Sequence, residues 1–410
     1  DRGRGMKLAP VFFSAPHRVM FFAGALQTLL TMLFWAVDLG ARYAGLYTPP
    51  VWPVPALWLH AALMIYGLFS FFVFGFLMTA LPKWVGQGPL AQGQFVPAFV
   101  LLVVGWLLFY AGFLFVAALM PVGLIIVALG WAFGTWSLFS SVRASMSDHK
   151  VHAWVVLSAL SAGIVGVTLY ALALARRDAV LIQAASEIGL WLFLVPVFFT
   201  VTYRMLPFFS GSVVRGYVEY RSLRPFWIVL ASCLLHALGV VAELRAWFWP
   251  ADLVGAGTVF WLAWRWQIHK VFVSHLLAMH HVAGLWLGVA FLLFALQGAA
   301  EALLPGQGAG GRAPLHALTV GYFGSILLGM ATRVTLGHSG RLISSDVWAW
   351  RLFWMFQGVI LLRLAGEWLV WAGVTNLIWL SALGWLLVFG MWSRVHLLMY
   401  VKPRPDGRPG

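Results

Sequence analysis

Charge is what this chain lacks. Only 9% of its 410 residues are charged and only 12 are acidic, which is too few for the solvated surface of a soluble protein. No stretch is polar or Gly/Ser-rich for long enough to form a separate soluble domain. The single cysteine, Cys233, falls inside an apolar run, which excludes an internal disulfide and argues against a reactive thiol. The period-two alternation that a membrane barrel needs is missing. So are a Walker loop, a dinucleotide fingerprint and the paired-histidine zinc motif of metalloproteases. The apolar run after His17 and Arg18 is too long for a cleavable signal peptide and has no small-residue cleavage site. Because the chain starts at Asp1 rather than Met, its natural N-terminus is expected to lie upstream or to have been processed.

What is present is apolar: 62% of residues are hydrophobic, with 24 Trp and 32 Phe. In lipid only structures that satisfy their own backbone hydrogen bonds survive, and for runs of about 20 apolar residues that means helices. Such runs recur near 18–38, 56–81, 95–117, 121–140, 152–175, 184–206, 225–243, 253–268, 274–298, 314–337, 347–372 and 375–400. The predicted fold is therefore all-α, a polytopic integral membrane protein of about twelve transmembrane helices. Of the 26 Lys and Arg, 20 fall at the N-terminus, the even-numbered connections and the C-terminus. The other six are Arg42, Arg176, Arg177, Arg245, Arg312 and Arg363. That asymmetry predicts both termini in the cytoplasm. It reads the net charge of +14 as a topology signal and a contact with anionic membrane lipids, with no nucleic-acid partner.

Short words recur at four-helix spacing. Spans one, five and nine open with His17, His152 and His281, and Leu-His-Ala opens spans two and ten at His60 and His316. Ala-Leu-Gly-Trp recurs at 128–131 and 382–385. Three units, 17–140, 152–268 and 274–400, are expected within one transmembrane domain, all in the same orientation.

The stretch Leu315–Arg341 concentrates the chemistry. As one helix it crosses the bilayer with His316 near one face and His338 near the other, while Gly321, Gly324 and Gly329 admit a neighbouring helix or a flat ligand. A membrane histidine can simply hydrogen-bond a neighbouring helix, but several at matching depth on different helices fit metal or haem ligation. His60 and His316 form an outer set, with Glu187 near the same depth. His281 and His338 form an inner set, with Arg333 and Arg341 available for haem propionates. His280 and His281 are adjacent and diverge by about 100° on a regular helix, so one is expected to be functional and the other to pack.

The segment His316-Ala-Leu-Thr-Val-Gly … Thr332-Arg-Val-Thr-Leu-Gly-His338-Ser-Gly-Arg341 resembles a signature of the NnrS family. Gly75–Trp84, Arg204–Phe209 and the tail Pro403–Gly410 are similar to other family stretches. The resemblance implies a twelve-helix bacterial inner-membrane protein that binds haem b and copper, linked to nitric oxide, nitrosative-stress resistance and denitrification. It places cofactor and metal ligation on His60, His281, His316 and His338. Where the family pattern reads His-x-His-Glu-Met, this chain has His60, Ala61, Ala62, Leu63 and Met64, so a copper site using the second His and the Glu would be incomplete. The expected function is binding or processing of nitric oxide or a related nitrogen species, as a gas-binding protein or a haem-dependent oxidoreductase with a respiratory-chain or quinone partner. The alternatives are a transporter or channel with a histidine-lined path, and a structural or assembly subunit of a respiratory complex.

Overall fold

The computed structural model describes residues 11–304, 311–341, 347–369 and 373–406. Arg2, Arg4, Lys7 and Arg408, the last four residues of the tail, and the expected span end at 370–372 lie outside them.

Twelve long helices run where the apolar runs place them. They are α1 (Pro16–Arg42), α2 (Ala56–Trp84), α3 (Gln92–Leu114), α4 (Leu119–Ala144), α5 (Val151–Arg176), α6 (Ala179–Val213), α7 (Arg224–Val241), α8 (Arg245–Arg265), α9 (His275–Leu303), α10 (Ala313–His338), α11 (Val347–Leu369) and α12 (Asn376–Val401). Among the described residues there is no strand. Local chemistry sets several of the ends. Pro16 starts α1, where its missing N–H costs nothing. Asp178 caps α6 by accepting from the amides of Val180 and Leu181 at 2.9 and 3.1 Å.

Eleven of the twelve are long and apolar enough to cross a bilayer. The exception is α8, whose first half holds Pro250 and Asp252. Asp252 is only 2% exposed, because it faces His236 of α7 and accepts from its Nδ1–H at 2.9 Å. That bond ties the less apolar helix to a neighbour that satisfies its carboxylate.

Three helices form the centre. The apolar windows of α2, α6 and α10 are 89%, 72% and 78% buried, against 39–61% for the other spans. The pairs α3–α4, α7–α8 and α11–α12 pack together outside them, and α12 closes against α1. Each central helix also widens into a π-helical segment: Leu63–Leu68 in α2, Ile188–Leu194 in α6 and Ala317–Gly324 in α10. The segments start within three residues after His60, Glu187 and His316 respectively. Such turns carry an extra residue per loop of the ladder and recur at functional sites.

Tight packing holds the widened turns in place. Tyr66, inside the first of them, reaches across and donates its hydroxyl to the Ala185 carbonyl of α6 at 2.6 Å. Its path is kept clear by Gly166 and Gly189, where a Cβ would collide with the Tyr66 ring or hydroxyl. The glycines of α10 likewise serve neighbouring side chains. A Cβ would lie 2.9 Å from Trp286 at Gly321, 2.7 Å from Phe356 at Gly324 and 3.4 Å from His280 at Gly329.

Candidate functional site

Towards the end of the bundle away from residues 11 and 406 lies a cavity of about 790 Å³. Its walls come from α1, α2, α6, α10, α11 and α12, so every central helix reaches it. His60 and His316 both line it, and Glu187 lines it from α6.

The two imidazoles are held in different ways. His316 donates its Nδ1–H to the Arg312 carbonyl one turn back at 2.8 Å, which leaves the lone pair on Nε2. Arg363 Nη2 donates to that nitrogen at 3.2 Å. His60 is stacked on Trp35, with ring centroids 3.9 Å apart and planes 12° from parallel. Its Nδ1 is buried without a hydrogen-bond partner among the described residues.

Arginines surround the pair. Arg42, Arg312 and Arg363 all line the cavity. Glu367 fixes two of them: it accepts from the Arg312 backbone N–H at 2.8 Å and from Arg363 Nη1 at 2.7 Å. Arg42 is paired with Asp38 and lies over the face of Trp35 at 5.2 Å. These three are half of the six basic residues that depart from the charge asymmetry. The sequence signal for them was therefore present, as exceptions to the topology rule.

The inner set does not share that cavity. His338 at the end of α10 lies against His17 at the start of α1, with ring centroids 4.7 Å apart. Arg404 donates to the His338 carbonyl at 3.2 Å, and the Asp406 carboxylate beside Arg404 raises its guanidinium above the ordinary value. His281 shares a 3.1 Å hydrogen bond with Ser210 of α6, while His280 donates to its own helix at the Leu276 carbonyl. Arg333 lies over the Phe209 ring at 3.6 Å, and Arg341 follows the end of α10. Thus His60 and His316 share a cavity, whereas His338 pairs with His17 while His281 pairs with Ser210. Sequence reasoning also missed the His236–Asp252 pair, since neither residue belongs to a recurring word.

Among the described residues no three of His, Cys, Asp and Glu converge as a metal group. Comparison with known families then decides the kinship: the family model described as NnrS protein matches residues 11–404. The chain belongs to the NnrS family. It is a multi-pass membrane protein of this nitric oxide response family. Among curated proteins no match is found. The departure from the NnrS pattern in α2 has a structural counterpart: Ala61 and Met64 line the cavity, whereas Ala62 and Leu63 are 0% exposed. Histidine and glutamate at those two positions would have to be accommodated inside the packed core.

Proposed function

We propose that the cavity between α1, α2, α6 and α10–α12 holds a haem b, and that this NnrS-family protein thereby binds or processes nitric oxide or a related reactive nitrogen species. One observation carries the reading: two histidines and three arginines line a single cavity of about 790 Å³ in a chain with only 9% charged residues. Ionisable groups inside a membrane protein are costly and mark function.

The donor set fits the group. Cofactor cavities run to about 300–1,000 Å³, and this one lies in that range. His316 would hold the iron through Nε2, to which Arg363 now donates, because a carbonyl on Nδ1 orients the ring and raises the basicity of that nitrogen. His60, braced by Trp35, offers a second imidazole to the same space. Arg42, Arg312 and Arg363 supply cations for the two carboxylates of a haem. When bound, haem supplies an iron that takes up a small gas and exchanges electrons. Copper is a different matter. Without a converging third donor the described residues do not fit it.

In this reading the protein lies in the bacterial inner membrane with both termini cytoplasmic, and the cavity opens towards the outer face. Electrons come from a respiratory-chain or quinone partner. The three units are copies of one four-helix plan, each contributing its second helix to the centre.

An optical spectrum of the purified protein, oxidised, reduced, and reduced with carbon monoxide, tests the proposal. Reduced bands that shift with carbon monoxide and with nitric oxide are expected. Haem bands that ignore both gases would replace gas chemistry by a structural or electron-transfer role. Folded protein that takes up no haem when haem is plentiful would remove the cofactor reading and favour the transport alternative.

A further inference from the structure

Deeper along the central helices lies a second, much smaller void of about 40 Å³. Its lining comes from α1, α2, α6 and α10, and includes Phe72, Val201, Met330 and Ala331. Every side chain on its wall is apolar and buried. A water molecule needs about 10–15 Å³ together with two to four polar partners. This void has the room and lacks the partners, so it stays dry and suits a small apolar molecule.

A trio of rings joins the wall of the void to the wall of the large cavity. Phe69 of α2, Phe198 of α6 and Phe323 of α10 form a closed trio, with centroids 5.6, 5.5 and 4.9 Å apart. Phe69 belongs to the wall of the large cavity and Phe198 to the wall of the void. On α6 the two walls follow one another closely: Leu194 faces the large cavity and Val197 the void. Three residues of helix span about 4.5 Å.

We infer that the void is a docking site for a diatomic or similarly small apolar gas, which enters from the large cavity past the three phenylalanines. Naming that gas nitric oxide rests on the proposed function. The site itself does not, since its recognition is by size and apolarity alone. It would raise the local concentration of gas close to the cavity and exclude water and anions such as nitrite, which find no polar partner there.

Xenon is the probe, because a dry apolar cavity of this kind takes it up. The full chain in detergent is titrated with xenon and followed by xenon NMR, with crystals under xenon pressure locating the atom. A saturable site bounded by Phe72, Val201 and Met330 is expected, with or without haem. Ala331→Leu fills the void and should weaken xenon binding about tenfold, whereas the volume-conserving Met330→Leu should leave it within about twofold. Val201→Ile, a smaller intrusion, serves if the first variant fails to fold. No saturable site in the unaltered protein, or unchanged binding in the folded filling variant, overturns the inference. Xenon bound in a protein that takes no haem removes the nitric oxide reading and leaves the gas site standing. Haem with gas-sensitive bands and no xenon site does the reverse.

Discussion

At the cavity end, His60 and His316 border about 790 Å³ of space; at the terminal end, His17 and His338 lie ring to ring at 4.7 Å. The cavity end joins histidines of α2 and α10, the terminal end histidines of α1 and α10, and both have arginines nearby. The difference is what the arginines touch. Arg18 is 2% exposed and directs Nη1 at the carbonyls of Tyr400 and Lys402, both at 3.0 Å, so it fastens the end of α12 to the start of α1. Arg363 instead binds side chains, Glu367 and His316, that belong to the cavity wall. A cation directed at backbone carbonyls acts as a clamp. One balanced by side chains around open space can turn to a ligand.

The largest expected effect separates the ends outright. His316→Ala should lower the Soret absorbance per protein at least about tenfold by removing the oriented ligand, while His338→Ala leaves it nearly unchanged; equal losses would dissolve the distinction. Next comes the clamp. Arg18→Met leaves two carbonyls without their donor and should cost about 2–4 kcal/mol, read from thermal unfolding in detergent, with the haem spectrum intact at low temperature. A smaller loss is expected from Gly166→Ala. It pushes the Tyr66 hydroxyl off the Ala185 carbonyl, for about 1–3 kcal/mol, and unaltered unfolding would mean that the α2–α6 contact is slack. Smallest is Arg42→Gln. The side chain of Arg42 is 39% exposed and already paired with Asp38, so haem retention should fall by no more than about threefold; a loss as large as that of Arg363→Gln would make the cavity arginines equivalent.

The helices were legible because lipid imposes length and apolarity on each span, and all twelve lie where the apolar runs put them. His60 and His316 were legible as well, since the same Leu-His-Ala word opens two spans at one depth. The pairing of His17 with His338 was not. It depends on the start of the first helix meeting the end of the tenth, and no local pattern records that. The π segments were hidden for a related reason. Leu63–Leu68 and Ile188–Leu194 use the same apolar residues as regular turns, and their widening reflects packing such as that of Tyr66 against α6. Arg42, Arg312 and Arg363 were visible only as irregularities in a charge count, which is how function shows when it competes with topology.

Those widened turns also set a phase relation within each central helix. Every residue of an α-helix advances the side-chain direction by about 100°, so the number of residues stored in a π segment fixes which way the part before it faces. Removing one residue from Leu63–Leu68 would leave the lower half of α2 in its packing and swing His60 round by roughly that angle, off the cavity wall. The same holds for Ala317–Gly324 and His316. In this molecule a single-codon deletion acts as a rotation, and the direction in which a histidine points is inherited as a count of the residues that follow it.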